Sequence, residues 1–160
     1  HPESSPYPDA LVHEAITLLF AGQDTSAATL GWASYLLGTR PTLQHRVREE
    51  VLRVVGPPGS PVLEDHIHQM PLVDAVIKET LRLYPVAPFV ARHLQQPVRL
   101  PDGSVIPAGV TALVWIYALH HHPKYWDNPE EFDPERWLSD TPDSKAIAPP
   151  APGGKKQSTE

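Results

Sequence analysis

Residues 71–85 read Pro71-Leu-Val-Asp-Ala-Val-Ile-Lys-Glu79-Thr-Leu-Arg82-Leu-Tyr84-Pro85. Pro71 suits a first helical turn, and Pro85 disfavours helical geometry in the residue before it, so the stretch predicts a helix that starts near Pro71 and ends by Tyr84. At 100° per residue Glu79 falls between Leu72, Val76 and Leu83, in the middle of an apolar arc. A carboxylate there is expected to be buried, and an unpaired buried charge is costly, so Glu79 needs a cationic partner. Arg82, three residues on, lies on a neighbouring line of the same helix. The spacing alone also fits a surface pair contributing about 0.2–0.5 kcal/mol.

Upstream, Ala15 to Thr39 contains no proline and only one formally charged side chain, Asp24. It predicts a helix of roughly 35 to 40 Å, long enough to cross a domain or a bilayer. Thr17, Gln23, Asp24, Thr25, Ser26, Thr29 and Ser34 argue against a membrane span, since an aspartate at mid-bilayer costs about 2.5–3.5 kcal/mol. A buried central helix is expected instead. Gly38 stops it, and Pro41 opens an amphipathic surface helix. That helix carries Leu43, Val47, Val51 and Leu52 on one side, with Arg46, Arg48, Glu49, Glu50 and Arg53 around the other. Gly56 to Pro61 is a loop, followed by a short helical piece from Glu64 to Gln69.

After Pro85 the pattern changes to β-like segments at Phe89–Arg92, Val98–Leu100, Ser104–Ile106 and Thr111–Trp115, with Asp102-Gly103 as a hairpin turn. The fold class is therefore mainly α with a small β-sheet. His1 to Asp9, with three prolines, reads as a loop or linker, and the polar run from Leu138 onward as a disordered tail.

The net charge of −6 comes without any basic block, which argues against nucleic acid as a partner and against a polybasic membrane patch. Zero cysteines exclude disulfides, thiolate zinc sites and cysteine nucleophiles. His120-His121-His122 and His66-x-His68 lack the spacing of a helical zinc site, and consecutive strand residues face opposite ways, so no metal site is expected there.

Two further stretches bear on chemistry. Phe132-Asp133-Pro134-Glu135-Arg136-Trp137 is a rigid proline turn, and its Arg136 offers a planar fork that can reach the same buried carboxylate. Ala21-Gly22-Gln23-Asp24-Thr25 lies midway along the long helix. Gly22 removes a side chain, so a flat ligand can lie against the backbone. Thr25 can bond to a carbonyl one turn earlier and open the ladder locally, although ordinary packing on small residues fits the same pattern.

In this order, these elements resemble the cytochrome P450 family from about Ala10 to Leu138. Ala21-Gly22-x-Asp24-Thr25 looks like that family's oxygen-activating motif, which implies catalytic roles for Asp24 and Thr25 and haem contact by Ala21 and Gly22. Glu79-x-x-Arg82 looks like its K-helix pair. Pro85-x-x-Pro88-x-x-x-Arg92 is similar to the segment that sends an arginine to a haem propionate. Pro134-Glu135-Arg136-Trp137 resembles the turn whose arginine completes a structural triad with Glu79 and Arg82. The resemblance implies a partial cytochrome P450 domain over residues 10–138. It also implies haem as cofactor, electrons from NADPH through a cytochrome P450 reductase, an apolar substrate such as a fatty acid, and an endoplasmic reticulum membrane location for the complete protein. Fatty-acid-hydroxylase-type members look nearest. Some of these attach haem through a glutamate where Ala21 stands, a route closed here.

The chain departs from the family pattern in three places. His120-His121-His122-Pro123 stands where His-Arg-Asp-Pro is usual, and Trp137 replaces the more frequent phenylalanine. The glycine-rich loop with the axial cysteine, expected soon after Trp137, is absent, and in this family that thiolate holds the iron. The chain thus reads as a C-terminal-half fragment that is inactive as it stands. The alternative is a truncated or spliced product without haem, serving at most as an interaction module.

Overall fold

A computed structural model describes residues 8–138 of the 160. Helix α1 spans Asp9–Gly38, six residues longer at its start than the apolar pattern predicted. Nothing after Pro8 interrupts it, and Asp9 in the first turn complements the helix dipole, so Asp9 is helix rather than linker. Thr39 closes α1 with its amide donating to the Tyr35 carbonyl. Helix α2 covers Pro41–Val54 and α4 covers Pro71–Leu83, each with proline in its first turn. Between them α3, Glu64–Ile67, is one turn, shorter than expected.

Four short strands follow: β1 Val90–His93, β2 Val98–Arg99, β3 Val105–Ile106 and β4 Thr111–Val114. They form two separate antiparallel ladders. β1 pairs with β4, placing Arg92 opposite Ala112. β2 pairs with β3 around the Asp102-Gly103 turn, where Gly103 takes a positive φ of 88° and Asp102 accepts from the amide and hydroxyl of Ser104. The predicted fourth strand stops at Val114. A helix the sequence pattern did not predict, α5 Ile116–His120, starts two residues later. A 3₁₀ turn, Pro134–Trp137, ends the described chain, its Asp133 side chain accepting from the Glu135 amide.

The core is built on α4. Leu72, Ala75, Val76 and Leu83 are buried there beside Glu79, Thr80 and Arg82, and α1 contributes Leu36. Trp32 of α1 stacks flat on Tyr84 at 4.1 Å between ring centroids, pinning the C-terminal part of α1 to the end of α4.

The expected burial of the long helix is not found. Leu36 is its single buried residue among those described, while Leu18 and Phe20 are 72% and 69% exposed. A helix whose apolar residues are spread around it needs cover on more than one side, and among the described residues only Leu36, near its C-terminal end, is fully covered. No helix among the described residues is long and apolar enough to cross a membrane. The predicted disordered tail, 139–160, and most of the predicted linker lie outside the described residues.

Candidate functional site

Glu79 is 0% and Arg82 2% exposed, so the pair is not a surface ion pair. The i,i+3 spacing on α4 lets Arg82 meet the carboxylate edge-on: Nε donates to Glu79 Oε2 and Nη2 to Oε1, both at 2.9 Å. The remaining donors find carbonyls at the end of α5 and on the loop after it. Nη1 donates to His120 O at 2.9 Å and Pro129 O at 2.7 Å, and Nη2 to Glu131 O at 2.9 Å. All five guanidinium hydrogens are thereby used. Asn128, at φ 47°, takes the left-handed turn that lets this loop fold back.

Glu79 is served from the 3₁₀ turn as well. Arg136 Nε donates to Oε1 at 3.0 Å, the Asp133 amide to Oε1 at 3.0 Å, and the Trp137 indole N–H to Oε2 at 2.9 Å. Burial pushes the Glu79 carboxyl up. The hydrogen bonds from Arg82, Asp133 and Trp137, with the Arg82 charge, outweigh it and hold the group below its ordinary value. His120 Nδ1 lies 3.2 Å from Arg82 O. Burial lowers the His120 pKa, the bond to the Arg82 carbonyl opposes this, and the nearby Arg82 and His121 charges lower it further, leaving it below its ordinary value.

Sequence reasoning brought Glu79, Arg82 and Arg136 to the same place, but it missed other members of the cluster. Trp137 entered only as a replacement for phenylalanine, yet its indole supplies a donor that phenylalanine lacks. Trp126 lies against both guanidinium groups, 5.1 Å from Arg82 Cζ and 5.9 Å from Arg136 Cζ to its ring centroid. Glu50, assigned to the exposed face of α2, is buried, and its two oxygens accept from the amides of Leu72 and Val73 at 3.1 and 2.9 Å. Met70 supplies no side-chain cap to α4. The free amides of its first turn were the available signal for an acceptor from elsewhere. His120 to His122 occupy the end of α5 and the residues after it, not a strand, so the alternating-face argument does not apply to them. Among the described residues no three histidine, cysteine or acidic side chains gather to hold a metal.

The α1 motif is not part of the cluster. Thr25 Oγ1 donates to Ala21 O at 2.6 Å and Thr29 Oγ1 to Thr25 O at 2.9 Å. The helix runs unbroken through them, so the expected local opening of the ladder is absent. Ala21 and Asp24 are exposed, and a Cβ added at Gly22 would meet nothing within 4 Å. An open groove of about 440 Å³ between α1 and the end of α4 brings Thr25, Ser26, Thr29 and Leu30 opposite Leu81 and Val86. Arg92 stands exposed on β1, Nη1 donating to the carbonyl of Ala91.

The cytochrome P450 family model matches residues 2–150. The chain belongs to the cytochrome P450 family. It is 46% identical over 143 residues to cytochrome P450 4A14 of Rattus norvegicus, which covers 89% of this chain and 28% of the relative. It is 49% identical over 121 residues to cytochrome P450 4A6 of Oryctolagus cuniculus, covering 76% of this chain and 24% of the relative. A taurochenodeoxycholic 6 alpha-hydroxylase of Sus scrofa is 41% identical over 143 residues, again 89% of this chain and 28% of the relative. The chain thus spans about a quarter of the length of these relatives. A match of 143 residues in a chain of 160 necessarily takes in both the Ala21–Thr25 stretch and Arg136.

Thiolate ligation of haem, as in cytochromes P450, requires a cysteine, and the 160 residues contain none. The residues present do not complete such a site. What this P450 segment does carry is a helix with a bare glycine beside paired hydroxyls, and a fully bonded carboxylate–guanidinium cluster at the base of α4.

Proposed function

We propose that this chain is the segment of a haem monooxygenase that bears the oxygen-side helix and the buried Glu79 cluster. In the complete enzyme, haem supplies the oxygen chemistry when bound. That enzyme hydroxylates an apolar substrate such as a fatty acid, with electrons from NADPH delivered by a reductase at the endoplasmic reticulum membrane. The observation that carries this reading is the 41–46% identity over 143 residues to cytochrome P450 4A proteins and a named hydroxylase, across a segment that takes in the Ala21–Thr25 and Glu79–Arg136 motifs.

In this reading the residues of the chain divide the work. Gly22 and Ala21 leave the helix surface bare for a flat group. Thr25, its hydrogen committed to Ala21 O, keeps its lone pairs free to accept from a water, and the exposed Asp24 links that water to solvent. Together they form a general acid relay. Arg92 has donors to spare for a propionate. Glu79, Arg82 and Arg136 form the structural triad that fixes α4 against the loop and the 3₁₀ turn.

A second reading, in which the 160-residue chain by itself is a non-catalytic interaction module, is favoured by the absence of cysteine from its sequence. One experiment addresses both. The 160-residue chain and the complete protein are purified, reduced and exposed to carbon monoxide. The complete protein is then incubated with reductase, NADPH and a panel of fatty acids, with products read by mass spectrometry. A thiolate-type Soret band from the complete protein only, together with hydroxylated product, is expected. Haem-loaded complete protein that oxidises none of the panel overturns the substrate class, and a thiolate-type band from the 160-residue chain overturns the ligand argument.

A further inference from the structure

Two guanidinium groups, Arg82 and Arg136, share the single carboxylate of Glu79. Their side chains are 1% and 11% exposed and that of Glu79 is 0%, so the charges gathered on this carboxylate do not cancel. The excess is positive, in surroundings where an uncompensated charge is costly. Part of it is met by dipoles: the carbonyls of His120, Pro129 and Glu131 face Arg82, and that of Asp127 accepts from Arg136 at 3.3 Å.

The other part faces an aromatic ring. Trp126 lies within 6 Å of both guanidinium carbons, the range in which a ring's quadrupole attracts a cation, and tryptophan is the best of the aromatic residues at this. Its ring is held in place by neighbours. The indole N–H donates to Leu119 O at 3.2 Å, His120 meets it edge-on at 6.2 Å, and Trp137 lies tilted beside it at 5.8 Å. The ring is therefore tied at its polar edge to α5 while its π system stands against both cations. Phe132, by contrast, has Arg40 over its ring, a cation outside the Glu79 cluster.

We infer that Trp126 is a positioning residue of the cluster: its π face balances the surplus positive charge and so holds Arg82 and Arg136 in register on Glu79. This role does not depend on the reaction proposed above. A contact of this kind contributes enough to change a local opening equilibrium about 2- to 30-fold.

The test reads the exchange of the Arg82 Nε–H with solvent by ¹⁵N NMR, because that hydrogen is lost to solvent only when the Arg82–Glu79 contact opens. Trp126→Phe, which keeps a weaker quadrupole, is expected to raise the exchange rate less than Trp126→Leu, and the leucine variant to raise it about 2- to 30-fold. Because Trp126→Leu can unfold the chain outright, the deciding series places mono-, di- and trifluorinated tryptophan at position 126 alone. Fluorine withdraws π density with little change of shape, so exchange is expected to quicken with each added fluorine. A rate independent of fluorine number, or one that slows with it, overturns the inference and reduces Trp126 to apolar packing.

Discussion

Replacing Arg82 by lysine keeps the charge and removes the fork. Arg82 satisfies five acceptors: both Glu79 oxygens and the carbonyls of His120, Pro129 and Glu131. A lysine ammonium has three hydrogens and cannot present two of them side by side to a carboxylate. At least two of these five buried or half-buried hydrogen bonds from a charged donor are then lost, at about 1–3 kcal/mol each, so Arg82→Lys is expected to cost about 2–6 kcal/mol. Arg82→Ala breaks the buried pair altogether, at about 3–5 kcal/mol. The two variants are therefore expected to be nearly as damaging as each other, a large fraction of the roughly 5–15 kcal/mol that separates folded from unfolded domains. Urea titration followed by far-ultraviolet circular dichroism measures both, and retention of haem by the complete enzyme gives an independent reading. A lysine variant within about 0.5 kcal/mol of the wild type would refute the assignment of Arg82 as a bidentate, five-fold donor.

Trp137→Phe removes one donor from Glu79 Oε2 while Arg82 Nε remains on that oxygen; a loss of about 1–3 kcal/mol is expected in the same titration, and no change would mean that the indole bond is incidental. Acid should weaken the fold in two steps. His120, lowered from 6.5, contributes stability that is present above pH 6.5 and lost as pH falls through its folded value. Glu79, lowered from 4.5, does the same below pH 4.5; urea midpoints across pH, with His120→Gln expected to erase only the upper step, check both. In the complete enzyme, Thr25→Ala should still oxidise NADPH while diverting oxygen to hydrogen peroxide, and Asp24→Asn should slow turnover more than it alters substrate binding. The ratio of hydroxylated product to NADPH consumed decides this, and unchanged coupling and rate in both variants would reduce these residues to helix packing.

The amino-acid sequence by itself determined what depends on a residue and its near neighbours. Pro71 and Pro85 set the bounds of α4 because a pyrrolidine ring constrains its own and the preceding backbone. Asp102-Gly103 set the β2–β3 turn because glycine tolerates φ of 88°. The 100° step of a helix put Glu79 among Leu72, Val76 and Leu83, from which its need for a cation followed. Partners supplied from afar were another matter. Arg136 was within reach of that reasoning because a guanidinium fork is specific to carboxylates. The Asp133 amide and the Trp137 indole, 54 and 58 residues from Glu79, were not, since any amide or indole offers the same bond. Nor did the polar look of Glu50 reveal that it is buried against the first turn of α4, 22 residues away. The apolar run in α1 announced a helix that wants to be covered, and periodicity carries no information about whether a neighbour is there to cover it. Only the packing of α1, α2, the α5 loop and the 3₁₀ turn around α4 decided these points, because burial belongs to the arrangement of all the elements and not to any one of them.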